Sequence, residues 1–153
     1  MPKVTPFLMF DNQLEAAIEL YTSIVPDSKV ENVSKSGKDG PVTAASFVVG
    51  GQRFMGFNGG PSFSFSQGFS LFVECADQKE VDTYWDKLLA AGGKEVQCGW
   101  LTDRFGLSWQ IVPKRFMELM ADPDPRKVQA VVQAMLKMKK LDVAGLEQAA
   151  ASA

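Results

Sequence analysis

The chain contains no histidine, and that absence removes more chemistry than any other feature of its composition. Histidine is the commonest metal ligand and the usual general base near neutral pH. A Ser-His-Asp triad, a Cys-His pair and a histidine metal cage are therefore all excluded, and carboxylates could hold a hard cation only if they converge. Cysteine is scarce: Cys75 and Cys98 alone cannot make a disulfide framework. Cys98, with no histidine to deprotonate it, reads as a packing thiol rather than a nucleophile. Positive charge is also lacking. The net charge of −2 and the pI near 5.2 leave no basic surface for nucleic acid, and the one dense basic run, Lys137, Lys139 and Lys140, reads as a solvated helix face. No membrane-spanning run is expected either. The 20 residues from Phe54 to Val73 carry no charge, but their Gly, Pro, Ser and Asn content would leave polar groups unsatisfied in lipid. Two strands joined by a loop account for them. Nothing at the N-terminus resembles a signal peptide, so the expected location is cytoplasmic.

What is present is a globular composition. With 153 residues, 46% of them hydrophobic and 22% charged, the chain can bury a core and is too short for two ordinary domains. Lys3 to Phe10 reads as a strand, with Pro6 at an edge or strand end. A helix over Asn12 to Val25 follows from Leu14, Ala17, Ile18 and Tyr21 at helical spacing, with Asn12 as N-cap and Pro26 as stop. Lys29 to Ser36, Val42 to Val49 and Gln52 to Asn58 read as strands, separated by SGKDGP and by Gly50-Gly51. The order is β-α-β-β-β.

That order then recurs. Phe69 to Cys75 reads as a strand, and DQKEVDTYWDKLLAAGG (77–93) as a helix with Val81, Tyr84, Trp85, Leu88 and Leu89 on one face. Glu95 to Cys98, Trp100 to Asp103 and Ser108 to Val112 are short strands broken at Gly99 and Gly106. The predicted fold class is α+β, with duplicated βαβββ modules at 1–60 and 68–113 forming an open barrel. A C-terminal helical extension occupies 114–153. Within it, Lys114 to Met120 reads as a short helix, and Asp124 and Pro125 cap a final amphipathic helix whose stripe runs from Val128 to Met138. Such a stripe suits packing on its own domain or on a partner subunit, so a homodimer is expected.

The strings FNGGPSFSFS (57–66), DQKEVDTYWDKLLAAGG (77–93), CGWLTDRFGLSWQIVP (98–113) and MLKMKKLDVAGLEQA (135–149) resemble the PhnB-like branch of the vicinal-oxygen-chelate superfamily. This branch includes proteins labelled 3-demethylubiquinone-9 3-methyltransferase-like. The resemblance implies a glyoxalase-like fold. It also implies a cleft where the superfamily's metalloenzymes place a few His, Glu or Gln ligands on four strands. Those positions fall here near Thr5 or Pro6 and at Gly56, Ser70 and Gln110. Only Gln110 is a respectable donor, whereas catalytic zinc usually has three protein ligands. No metal and no cofactor are therefore expected.

If Gln110 and Ser70 face the cleft, strand alternation puts Phe72, Glu74, Ser108 and Val112 beside them. Phe54 and Asn58 would join Gly56 there. Trp109, Ile111, Leu71, Val73, Met55 and Phe57 would pack under the helices. Such a cleft suits a small, partly apolar molecule held by hydrogen bonds. Three readings stand at this point. One is metal-independent binding of an unidentified small molecule. The second is a metal-independent enzyme in which Glu74, with a pKa raised by an aromatic cleft, and Gln110 act on the substrate. The third is a structural or assembly role for a dimer. The methyltransferase label finds no support, because GKDG, VGGQ and NGGP join strands rather than opening a helix as a methyl-donor site would.

Overall fold

A computed structural model describes residues 2–153. The chain forms two compact units, one ending at Ser64 and the other running from Phe65 to Ala153. Among the described residues, no helix is long and apolar enough to cross a membrane.

In the first unit, β1 (Phe7–Phe10), α1 (Leu14–Ile24), β2 (Lys29–Lys35), β3 (Val42–Val49) and β4 (Gln52–Asn58) follow one another as the periodicity predicts. The sheet order is β1-β4-β3-β2, with β1 and β4 parallel and the other pairs antiparallel. Helix α1 turns Leu14, Ala17, Ile18 and Tyr21 into the core. There they meet the face made by Leu8, Phe10, Ala45, Phe47, Phe54 and Gly56, whose apolar side chains are all buried. The rings of Phe47 and Phe54, directly opposite in the ladder, stack 5.7 Å apart. Asn12 is not the helix cap. The N–H of Leu14 is instead met by Asn58 Oδ1 at 2.9 Å, from the end of β4. This ties the orphaned first turn of α1 to its own sheet.

The second unit repeats the plan with β5 (Ser70–Cys75), α2 (Gln78–Ala90), β6 (Lys94–Glu95), β7 (Trp100–Thr102) and β8 (Ser108–Pro113). Its sheet order is β5-β8-β7-β6, again with the first pair parallel. Asp77 caps α2 by accepting from Glu80 N at 2.9 Å. Val81, Tyr84, Trp85 and Leu88 form the buried side of α2, which packs mainly on β8, where Trp109 and Ile111 are buried. The β7–β8 turn is built around Asp103. This buried carboxylate accepts from the N–H groups of Phe105 and Leu107 and from Trp109 Nε1 at 2.9–3.1 Å. Asp103 is structural for that reason.

Residues 114–153 belong to this second unit. They form α3 (Lys114–Met120), α4 (Pro125–Met135) and α5 (Val143–Ala151). Asp124 caps α4 by accepting from Arg126 N, with Pro125 in the first turn as expected, whereas α5 is an additional helix beyond the predicted stripe. Leu119, Val131, Leu141, Leu146 and Ala150 enclose Val112 in a core of their own. The segment between α4 and α5 is held at three places. The N–H groups of Cys98 and Gly99, both at positive φ, donate to the carbonyls of Met138 and Lys139 at 2.8 and 2.7 Å. The Gln78 amide donates to Leu141 O and accepts from Val143 N. Lys140 reaches Asp82 at 2.8 Å, and this hydrogen bond, with a second from Gln78, holds the Asp82 carboxyl below its usual range. Both partners of that pair are more than a third exposed, so the backbone bonds carry more of the attachment.

Replacing Asp103 with Asn puts an N–H donor against one of three N–H donors. Asp103→Asn should lower unfolding stability by about 2–3 kcal/mol, since the lost bonds are charge-assisted and buried. Urea denaturation followed by tryptophan fluorescence measures it.

Candidate functional site

Strand register, rather than helix or loop geometry, gathers the polar and aromatic side chains of the second unit. On the sheet face opposite Trp109 and Ile111, the pairing sets three rows across the strands. Ser70, Ser108 and Thr102 are directly opposite one another on β5, β8 and β7. Phe72, Gln110 and Trp100 form the next row, and Glu74 and Val112 the one after it. Gln110 Nε2 donates to Ser70 Oγ at 2.8 Å, so the two groups named from the sequence are in contact. Ser108 is 2% exposed and Phe72 is 49% exposed. Within the hydroxyl row Ser108 is closed off while Ser70 and Thr102 are half-buried, and the aromatic row is open at Phe72.

Two residues expected on this face have other surroundings. Val112 does lie on it, but Leu119, Leu141 and Leu146 of the C-terminal helices cover it, so it lines their core rather than a ligand surface. Glu74 lies beside it at the strand end and is exposed, so the aromatic enclosure expected around its carboxylate is not present. Trp100 and Thr102, in contrast, were not expected on this face. Their antiparallel pairing with Gln110 and Ser108 puts them there, and a strand as short as three residues gives the sequence pattern no parity to read.

In the first unit the expected faces are reversed. Phe54 and Gly56 lie on the α1 side of β4, and Met55 and Phe57 lie on the open side. A side chain at Gly56 would run into Leu14 Cδ1 and come within 3.4 Å of Phe47. Gly56 thus makes room for the helix, not for a ligand. Both parities of QRFMGFN carry large apolar residues, so alternation alone cannot choose between them. Asn58 is likewise structural: besides capping α1, it donates to Val42 O at 3.0 Å. Phe7, Met55 and Phe57, on the open side, are 51, 44 and 38% exposed.

The residues at the implied metal positions do not fit a metal. Gly56 offers no donor and is occupied by Leu14, Pro6 uses its carbonyl to accept Met55 N–H, and Ser70 and Gln110 bond to each other. The open side of β1 and β4 offers only thioether sulfur from Met9 and Met55, a soft donor poorly suited to the ions held by oxygen and imidazole. Among the described residues no group of three or more His, Cys, Asp or Glu converges. Cys75 is not placed for catalysis: burial, reinforced by Glu80 and Asp77, pushes its thiol up to about 12.

Two repeated βαβββ units, each with one helix on one face of a four-stranded sheet, define the glyoxalase-like class, and the comparisons agree. Residues 2–112 match the sequence model of the 3-demethylubiquinone-9 3-methyltransferase family. A PhnB protein from Bacillus cereus is 34% identical, with a TM-score of 0.66 over 73% of this chain and 99% of its own. Protein PA1353 from Pseudomonas aeruginosa is 21% identical, with a TM-score of 0.59 over 74% of this chain and 98% of its own. The fosfomycin resistance protein FosX from Listeria monocytogenes, solved with Mn(II) and sulfate, is 12% identical. Its TM-score is 0.52 over 71% of this chain and 89% of its own. The last two show the fold alone. The chain belongs to the PhnB-like 3-demethylubiquinone-9 3-methyltransferase family. Comparison with curated protein sequences gives no match.

The reassigned roles on β4 are testable through stability. Gly56→Ala should cost about 1–3 kcal/mol by overpacking against Leu14, and Asn58→Ala about 1 kcal/mol by uncapping α1. Exposed Glu74→Gln should stay within about 0.5 kcal/mol of the parent. Equilibrium unfolding of the three variants checks this order; a stabilised Gly56→Ala would return that residue to an open face.

Proposed function

We propose that the protein binds a small, partly apolar molecule on the open face of its second sheet, around Gln110, without a metal. The observation that carries this reading is the Gln110–Ser70 hydrogen bond set in a row between Phe72 and Trp100. A few placed polar groups among aromatic side chains suit ligand binding, and the donor set described above does not suit a cation. Methyl transfer has no corresponding support. Gly37 and Gly40 join β2 to β3, Gly50 and Gly51 join β3 to β4, and Gly59 and Gly60 follow β4, so none opens a helix. Catalysis through Glu74 and Gln110 remains the second reading, because both side chains share one face two register rows apart at most. Under it, Glu74→Gln abolishes turnover; under binding, that variant keeps its affinity.

We further propose that the protein works as a homodimer. The support is the exposed apolar set Phe7, Met55 and Phe57 on one side of the first sheet, a patch of the kind that marks an association surface. Native mass spectrometry of purified protein tests both proposals together. The expected spectrum is a dimer carrying a co-purified small molecule. Gln110→Leu should lose the molecule and keep the dimer, and Phe57→Glu should shift the mass toward the monomer. A bound molecule that survives both Gln110→Leu and Phe72→Ala would refute the binding face. An unchanged dimer in Phe57→Glu would refute the association surface.

A further inference from the structure

The polar atoms on the second sheet say more about the ligand than that it is small. We infer that this face takes an uncharged planar ring carrying a hydrogen-bond donor and an acceptor side by side, a lactam edge being the simplest case. The inference rests on the binding reading above and adds a chemical class to it.

The donor and acceptor requirement follows from the inventory of the Gln110–Ser70 pair. A primary amide offers one carbonyl oxygen and two N–H groups, and a serine hydroxyl offers one O–H and two lone pairs. The bond from Gln110 Nε2 to Ser70 Oγ uses one N–H and one lone pair. It leaves the Gln110 carbonyl to accept and the Ser70 hydroxyl to donate. Turning the amide over changes the assignment but not the outcome. Ser70 would then donate to the carbonyl, leaving the amide N–H groups to donate and a serine lone pair to accept. In either state two neighbouring residues present at least one donor and one acceptor side by side, which a lactam meets with its C=O and N–H. An apolar ring without such groups would cover these atoms and leave them unsatisfied.

The lack of charge follows from the rows themselves. Ser70, Phe72, Trp100, Thr102, Ser108 and Gln110 are all neutral, and the two ionisable groups that share this face, Glu74 at the strand end and Lys94 opposite Thr102 on the edge strand β6, are both exposed. A ligand anion placed over Gln110 would lose hydration and gain no countercharge from the residues directly beside it, with Lys94 two strands away. Planarity follows from the flanks. Phe72 and Trp100 stand two strand spacings apart astride Gln110, about 10 Å, a span that a one- or two-ring molecule fills with aromatic contact at both ends.

Calorimetric titration of the full chain with 2-quinolone, N-methyl-2-quinolone and quinoline-2-carboxylate tests the class. The first has the lactam N–H, the second has lost it, and the third carries a negative charge. The expected result is that 2-quinolone binds about tenfold more tightly than its N-methyl analogue, with the carboxylate weakest. Gln110→Leu should erase the preference, and Ser70→Ala, a milder change, should reduce it. Trp100→Leu should weaken both lactams alike. If both lactams bind equally and both weaken in Phe72→Ala, the binding face stands and the donor–acceptor inference falls. Tightest binding of the carboxylate overturns the inference as well. So does failure of 2-quinolone to bind, while a co-purified molecule lost in Gln110→Leu would leave the broader reading intact.

Discussion

Leu14 of α1 fills the space that Gly56 leaves on β4, and the parity of the first sheet depends on that fit. With Gly56 turned toward the helix, Leu8 and Ala45, its partners in the ladder, must turn the same way. Met55 and Phe57 are then left on the opposite face. Asn58 lands where its carbonyl meets the first turn of the helix that Gly56 admits. A single missing side chain thus sets which residues form the core, which cap the helix and which remain exposed.

The second unit reaches a similar arrangement by a different route. Trp109 and Ile111 on the α2 side and the Asp103 carboxylate in the β7–β8 turn fix the strand that carries Gln110. Its open face is then reduced at one end by residues 114–153, which bury Val112. Cys98 and Gly99 make this possible. Both lie at positive φ, and their consecutive N–H groups point at the carbonyls of Met138 and Lys139. A side chain at Gly99 would come within 2.9 Å of Leu141. The family match ends at residue 112, and the helices beyond it shape the face that residues 2–112 alone would expose.

Much of this was legible in the sequence. Strands over 42–49 and 52–58 and the helix over 114–120 coincide with the predicted limits, because Gly-Gly, Pro and β-branched runs punctuate them sharply. Element order, and with it the duplicated α+β fold, followed from the same signals. The choice of face on β4 did not, since apolar residues occupy both parities and only a contact with residue 14 decides. Nor did the cap of α1, supplied by a residue 44 positions away, or α5, which buries only Leu146 and Ala150 and so shows little apolar periodicity. Within the candidate site, strand alternation put Gln110 and Ser70 on one face, and the two side chains are hydrogen-bonded there. Val112 and Glu74 were misjudged, because the covering helices and the open strand end are tertiary features that no local pattern encodes.

That the residues at the implied ligand positions do not fit a metal is the claim that joins these observations. Gly56 belongs to the helix contact, Gln110 and Ser70 are bonded to each other, and no carboxylates or cysteines converge among the described residues. Elemental analysis of the protein purified from cells supplied with manganese, iron, nickel and zinc tests it directly. The account predicts substoichiometric metal that Gln110→Leu leaves unchanged. One equivalent of a transition metal per chain, released by Gln110→Leu, would contradict it.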